Sequence, residues 1–152
     1  MLSWMTGLFA GLLGLDELFK QYVEENLEHG EQKEFCGGKL VVRKVYNRGF
    51  LLNALDHHPK VVKGASAFAG LSLLGYDIFA FLRRGHYLEK LGLAIASAGA
   101  ASNIFDRLVR GKVIDYIGFR VENSFLAKLT ANLGDFYLAI GAFLTAIGNI
   151  RK

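Results

Sequence analysis

Ala98-Gly99-Ala100-Ala101-Ser102-Asn103-Ile104-Phe105-Asp106-Arg107-Leu108-Val109-Arg110-Gly111-Lys112-Val113-Ile114-Asp115-Tyr116 decides how the chain is read. Small residues come first, so the backbone of a neighbouring helix can approach closely. Asn103, Asp106 and Arg107 then stand at i, i+3 and i+4, the spacing at which side chains on one helical face meet. Gly111 is placed to end that helix, and beyond it Asp115 sits in apolar sequence. Further along, Asn132-Leu133-Gly134-Asp135 again joins an amide to a carboxylate. The chain therefore offers two carboxylates, Asp115 and Asp135, each preceded by an Asn-bearing helical face, which are the ingredients of paired-carboxylate chemistry.

Working outward, 152 residues suffice for one domain with a real core, expected to span 1–152. Apolar residues make up 52% and charged residues 21%, below the share of about 25% usual in soluble domains. With a mean hydropathy of +0.27, this composition leans towards the membrane. The net charge is +4, but the basic residues are scattered among acids and form no aromatic-interleaved stripe, which argues against a nucleic-acid partner. A single cysteine, Cys36, excludes an internal disulfide and a Cys-based zinc site, and is expected to pack as a small residue. His57-His58 invites a metal reading, but adjacent histidines diverge and no completing ligand lies nearby, so a solvated loop pair and no metal are expected. Met1 to Leu15 is uncharged and runs straight into Asp16 and Lys20, which predicts a retained helix rather than a cleaved leader.

Four apolar stretches, about residues 3–23, 61–82, 88–108 and 127–150, are each close to the ~20 residues that cross a bilayer. If the chain begins on the cytoplasmic side, helix one ends outside with Asp16 and Lys20, helix three ends outside with Asn103, Asp106 and Arg107, and helix four starts there with Asn132 and Asp135. Polar groups in a bilayer are costly and face a bundle interior or a site, so their convergence near one leaflet is what a membrane active site requires. Asp77 alone falls elsewhere, and its sequence context suggests no role. Arg83, Arg84, Lys90, Arg151 and Lys152 would lie inside, as the positive-inside rule asks, but the outer loops hold Arg43, Lys44, Arg48, Arg110 and Lys112, so charge does not set the orientation. A soluble helical bundle with the same polar residues in a buried network is the alternative. The small residues Gly92, Ala96, Gly99 and Ala100 predict close helix packing.

Between helices one and two, about residues 37–58 form an expected extracytoplasmic β element. Gly37-Gly38 marks a turn, Lys39 to Tyr46 is β-rich, Asn47-Arg48-Gly49-Phe50 turns back, and Pro59 opens helix two. Val113 to Ile117 predicts a further strand or an extended linker. The expected fold is thus a mainly α membrane protein of four transmembrane helices with a small extracytoplasmic β element between the first two.

These motifs, in this order, resemble the lipoprotein signal peptidase (signal peptidase II) family of four-helix inner-membrane aspartyl proteases. Leu15-Asp16-Glu17-Leu18-Phe19-Lys20 is similar to the family's first-helix Asp and Lys, and Tyr46-Asn47-Arg48-Gly49 to its Asn-x-Gly motif. Gly99 to Arg107 followed by Gly111 to Tyr116 is similar to its longest block, and Asn132 to Asp135 to its Asn-x-Ala-Asp motif. The resemblance implies that Asp115 and Asp135 are the catalytic dyad, with Asp16, Lys20, Asn47, Gly49, Asn103, Asp106, Arg107 and Asn132 supporting the site or holding substrate. It implies cleavage of prolipoproteins before a diacylglyceryl-modified cysteine, in the bacterial cytoplasmic membrane near the extracytoplasmic leaflet, by a monomer in contact with membrane lipid and without a cofactor. A non-catalytic lipoprotein- or lipid-binding member of the same fold is the rival.

The chain departs from the family pattern at Phe50-Leu51-Leu52-Asn53, at Ser102 where Gly is usual, at Ala131 where Phe is usual, and at Gly134 where Ala is usual. None of these removes a carboxylate or a site Asn. Peptide hydrolysis by two carboxylates needs one ionised to take a proton from water and one protonated to polarise the carbonyl, and two such groups brought close share a proton. Asp106 is expected in a helix-end network, Asp16 and Lys20 as an i,i+4 pair, and Arg107 as a clamp on carbonyl or phosphate oxygens.

Overall fold

The computed structural model describes residues 2–28, 30–50, 55–123 and 127–150. Leu51, Leu52 and Asn53, the terminal charges Arg151 and Lys152, and the side chain of Cys36 lie outside the described residues. Four long helices, α1 (Leu2–Asn26), α2 (Pro59–Leu82), α3 (Tyr87–Phe105) and α4 (Leu133–Ile150), run up and down. Over one end lies an antiparallel sheet ordered β1 (Gln32–Phe35), β2 (Leu40–Asn47), β3 (Val113–Phe119) and β4 (Thr130–Ala131). Pro59 occupies the first turn of α2, where its missing N–H costs nothing.

The predicted helices are present, but two boundaries move for identifiable reasons. The third α-helix ends at Phe105, not near 108, because Asp106–Arg110 widens into a π turn that Gly111, at φ 73°, terminates. The fourth begins at Leu133 rather than 127, because Thr130 and Ala131 pair with Gly118 and Ile117 of β3. The sheet therefore draws half its strands from the α3–α4 connection, and Val113 to Ile117 is a strand in full pairing with β2. Alternation along β3 turns Val113 and Asp115 to one face and Ile114 and Tyr116 to the other, where they pack on Val23 of α1. A bulge between Val42 and Val45 shifts the register so that Asn47 lies opposite Val113.

Helix α3 is the centre of the bundle. A Cβ added at Gly99 would meet the carbonyl oxygen of Gly134 at 2.1 Å, one at Gly141 would meet the Ala96 nitrogen at 2.4 Å, and one at Gly92 the Thr145 nitrogen at 2.5 Å. The backbones of α3 and α4 are thus in direct contact, as the small-residue run predicts. Gly134, a departure from the family pattern, belongs to the same contact: a Cβ there would lie 3.1 Å from the Gly99 oxygen.

The opposite end of the bundle is pinned by the fully buried Glu89, which binds Arg83, takes a 2.9 Å hydrogen bond from the Tyr76 hydroxyl and lies 3.5 Å from His86. Between the ends, the Ser97 hydroxyl donates to Asp77 Oδ2 at 2.6 Å, which gives Asp77 a part in joining α2 to α3. Among the described residues, two helices, α2 and α4, are long and apolar enough to cross a membrane by length and composition. On α2 the side chains of Phe68, Leu71, Ile78, Phe79 and Leu82 are exposed, a face too apolar and too continuous to be left in water.

Replacing Gly99 with Ala should therefore destabilise the protein in detergent by at least about 2 kcal/mol, since the carbonyl it meets is backbone and cannot step aside. Gly7→Ala, where nothing lies within 4 Å, should be neutral or slightly stabilising in the same thermal melt. Equal effects would contradict the close α3–α4 contact.

Candidate active site

The start of α4 builds the site by an ordinary helix rule. The first backbone N–H groups of a helix have no partner within it, and an Asn before the first turn can accept from one of them. Here Asn132 Oδ1 accepts from the Asp135 backbone N–H at 3.0 Å, and the Asp135 carboxylate accepts from the Asn132 backbone N–H at 3.1 Å. This reciprocal pairing is a capping box with Asp in the third position. It leaves the Asn132 side-chain NH2 free to donate to Asp115 Oδ1 at 2.7 Å and to Asn103 Oδ1 at 3.1 Å. Asn103 in turn donates to Asp135 Oδ1 at 2.8 Å, and Asn47, brought over by β2, donates to Asp115 Oδ2 at 3.3 Å. Three amides thus orient two carboxylates.

Beneath them lies an ionic layer with no exposed surface. Lys20 Nζ is 3.0 Å from Asp16, 2.9 Å from Asp106, 2.6 Å from Ser102 Oγ and 3.2 Å from Asn103 Oδ1. Asp106 also binds Arg110 and accepts from the Ile114 backbone N–H at 3.3 Å, so it ties the end of α3 to β3. Tyr116 donates its hydroxyl to Asp16 at 2.8 Å and accepts from the Leu133 backbone at 3.2 Å.

Asp115 and Asp135 both line a cavity of about 540 Å³ between the sheet and the ends of α3 and α4. Its polar wall includes Asn47 and Arg107, and its apolar wall includes Phe50, Val113, Leu129 and Phe136. The Arg107 guanidinium donates to the Gly49 carbonyl at 3.3 and 3.4 Å and lies over the Phe50 ring, 5.3 Å from its centre. The Gly49 N–H is taken by Asn47 Oδ1 at 3.1 Å, which closes the turn after β2. Burial, and after it the neighbouring charge of Asp135, push the Asp115 carboxyl up to about 7, against the opposing hydrogen bonds from Asn47 and Asn132 and the charge of Lys20. At neutral pH a carboxyl with that value holds its proton about half the time.

All ten residues singled out from the sequence gather in this region. Of the three residues set at i, i+3 and i+4, Asn103 and Asp106 share the Lys20 ammonium, at 3.2 and 2.9 Å, and their remaining partners differ. Asn103 goes to Asp135, Asp106 to Arg110, and Arg107 to Gly49. Sequence reasoning missed five contributors. Ser102 was only a departure from pattern, Tyr116 was hidden beside Asp115 on the opposite strand face, and Glu17 and Arg110 pair at 2.8 Å across α1 and the π turn. Arg43, read as a loop charge, donates across Gly118 to Thr130 Oγ1 at 2.9 Å and to the Ala127 and Leu129 carbonyls at 3.0 and 2.9 Å, holding one wall of the cavity. His57 is exposed beside Asp56 at 3.3 Å, in keeping with a loop pair.

Two carboxylates presented by amides, one at the start of an apolar helix and one on a strand beside it, are the arrangement that a membrane aspartic endopeptidase needs. Comparison with known proteins makes this specific. Residues 8–151 match the profile of Signal peptidase (SPase) II, and the chain belongs to that family. It is 30% identical to the lipoprotein signal peptidase of Chromobacterium violaceum, over 95% of this chain and 90% of that one. It is also 30% identical to that of Azoarcus sp. (strain BH72), over 99% of this chain and 84% of that one. The fold is similar to two solved bacterial membrane enzymes, with TM-scores of 0.85 and 0.82 at 18% and 17% identity, covering 99% and 100% of this chain and 90% and 96% of theirs.

The raised Asp115 value has a consequence for stability. An unfolded Asp titrates near 3.9. The folded state therefore binds this proton more tightly, and the contribution is full below about pH 4 and lost as pH rises through about 7. Asn cannot ionise, so the thermal stability of Asp115→Asn relative to the native protein should rise steadily between about pH 4 and pH 7. A difference that stays flat across that window would contradict the raised value.

Proposed function

We propose that Asp115 and Asp135 are the catalytic pair of a peptidase that removes signal peptides from prolipoproteins, cutting before the diacylglyceryl-modified cysteine. The observation that carries this reading is the double engagement of Asn132, whose side-chain amide donates to Asp115 at 2.7 Å while its backbone and Oδ1 bind Asp135 at 3.1 and 3.0 Å. The ionised carboxylate takes a proton from water as the water oxygen bonds to the scissile carbonyl carbon. The protonated carboxyl gives its proton to the carbonyl oxygen. Collapse of the tetrahedral adduct breaks the C–N bond, and the leaving nitrogen takes a proton from the pair.

Residues 1–152 act as one peptidase domain. The half-apolar cavity suits a substrate with a lipid-bearing residue next to its peptide bond, held near the extracytoplasmic leaflet beside membrane lipid. Arg107 is half-buried, lines the cavity and has a planar donor fork suited to carbonyl or ester oxygens of that substrate. Both carboxylates and their supporting amides come from one chain, which supports action as a monomer.

Single-turnover cleavage of a lipidated precursor tests the assignment. Asp115→Asn and Asp135→Asn should each lower the rate by several orders of magnitude with substrate binding largely kept, and the double change should cost little more than either alone. Asp106→Asn should lower the folded fraction more than the rate per folded molecule. A well-folded Asp135→Asn that cleaves normally would end the dyad assignment, and binding of the precursor without cleavage by the native protein would favour the lipoprotein-binding rival.

A further inference from the structure

Ser102 has no exposed surface, and its hydroxyl stands at the junction of the ionic layer and the amide layer. Lys20 donates to its Oγ at 2.6 Å, and the hydroxyl proton can go to Asp16 Oδ2 at 2.6 Å or to Glu17 Oε1 at 2.8 Å. One hydroxyl has one proton, so it serves one carboxylate at a time while accepting from the ammonium. Lys20 has three N–H bonds and four close acceptors, Asp16, Asp106, Ser102 and Asn103. Its contact with Asn103 Oδ1, at 3.2 Å, is the longest of these and the first to be given up if the ammonium shifts towards the acids.

That contact decides how Asn103 faces. The Asn103 oxygen accepts from Lys20 and from the Asn132 NH2 at 3.1 Å, which leaves its own NH2 to donate to Asp135 at 2.8 Å. A flipped amide would set NH2 against two donors and turn an oxygen towards a carboxylate. We propose that Ser102 is a positioning residue for the peptidase reaction: by holding the Lys20 ammonium against Asn103, it keeps the Asn103 amide turned to Asp135. This rests on the Asp115/Asp135 reading above. The Ser102 side chain touches neither carboxylate and acts through Lys20 and Asn103.

Two readouts separate positioning from mere packing. Charged groups reach Asp115 from three elements: Asp135 on α4, Lys20 on α1 and Arg107 in the turn after α3. Asp135 raises its titration and Lys20 lowers it, so an ammonium released from Ser102 moves the alkaline limb of the rate profile to higher pH. The turnover itself falls while substrate binding stays the same, because the cavity lining is untouched.

The experiment measures kcat, KM and the pH profile of kcat for a lipidated precursor peptide, per folded molecule in the monodisperse detergent fraction. Ser102→Ala should lower kcat about tenfold with KM within twofold and shift the alkaline limb upward, whereas Ser102→Thr, which keeps the hydroxyl, should restore kcat to within about threefold. Ser102→Gly removes the hydroxyl without adding bulk, should behave as Ala does, and carries the test if the Ala variant does not fold. Native kcat and an unmoved limb in the Ala or Gly variant overturn the proposal, as does equal loss in Ala and Thr. Asp115→Asn is run alongside. If it is inactive while Ser102→Ala is normal, only the positioning role falls, and if it is active, the dyad reading falls and takes this proposal with it.

Discussion

A fully buried ammonium ion organises this molecule. Lys20 has no exposed surface, and a charge in that position is tolerable only with close, fully satisfied partners. Those partners come from α1 itself (Asp16), from α3 (Ser102, Asn103) and from the turn after α3 (Asp106), so satisfying one ion fixes α1 against the helix at the centre of the bundle. Buried ion pairs seldom add net stability over apolar packing of the same volume. Their consequence here is directional: Asp16, Asp106 and Asn103 each have a second bond to make, and those bonds run to the Tyr116 hydroxyl, the Ile114 backbone and the Asp135 carboxylate.

The amide layer above is built with equal economy from helix chemistry. A helix beginning at the level of a polar site needs its first N–H groups satisfied, and Asn132 with Asp135 does this reciprocally. The carboxylate thereby sits at the positive end of the α4 dipole, in a geometry set by backbone rather than by a flexible chain. Asp115 is held differently, by two side-chain amides at the face of a strand, and bears more of the burden of burial. The two carboxylates are alike in chemistry and unlike in environment.

Much of this was legible in the sequence, for reasons that differ by residue. The four helices follow from apolar length, the α3–α4 contact from Gly92 and Gly99, and the convergence of Asp16, Lys20, Asn103 and Asp135 from counting which helix ends share a side. What escaped was non-local or depended on backbone detail. The π turn cannot be seen in Asp106 to Arg110, because nothing in those residue types distinguishes it from an ordinary helical turn. The place of Val113 to Phe119 beside β2 depends on pairing across some seventy positions, and Thr130 to Ala131 joins the sheet only by pairing with that strand. Ser102 and Gly134 looked like relaxations of a family pattern, yet one has three polar partners and the other lies against a neighbouring helix backbone.

The strand order has a consequence for how the protein is made. Strand β2 is synthesised before α2, yet its neighbour β3 does not exist until α3 has been completed, and β4 comes later still. The first hairpin must wait, unpaired along one edge, while two helices enter the bilayer. Asp16 and Lys20 wait with it, neutralising each other until Ser102, Asn103 and Asp106 arrive. The cluster of carboxylates and amides is therefore the last thing to form on a nascent chain, complete only when Asn132 starts the final helix.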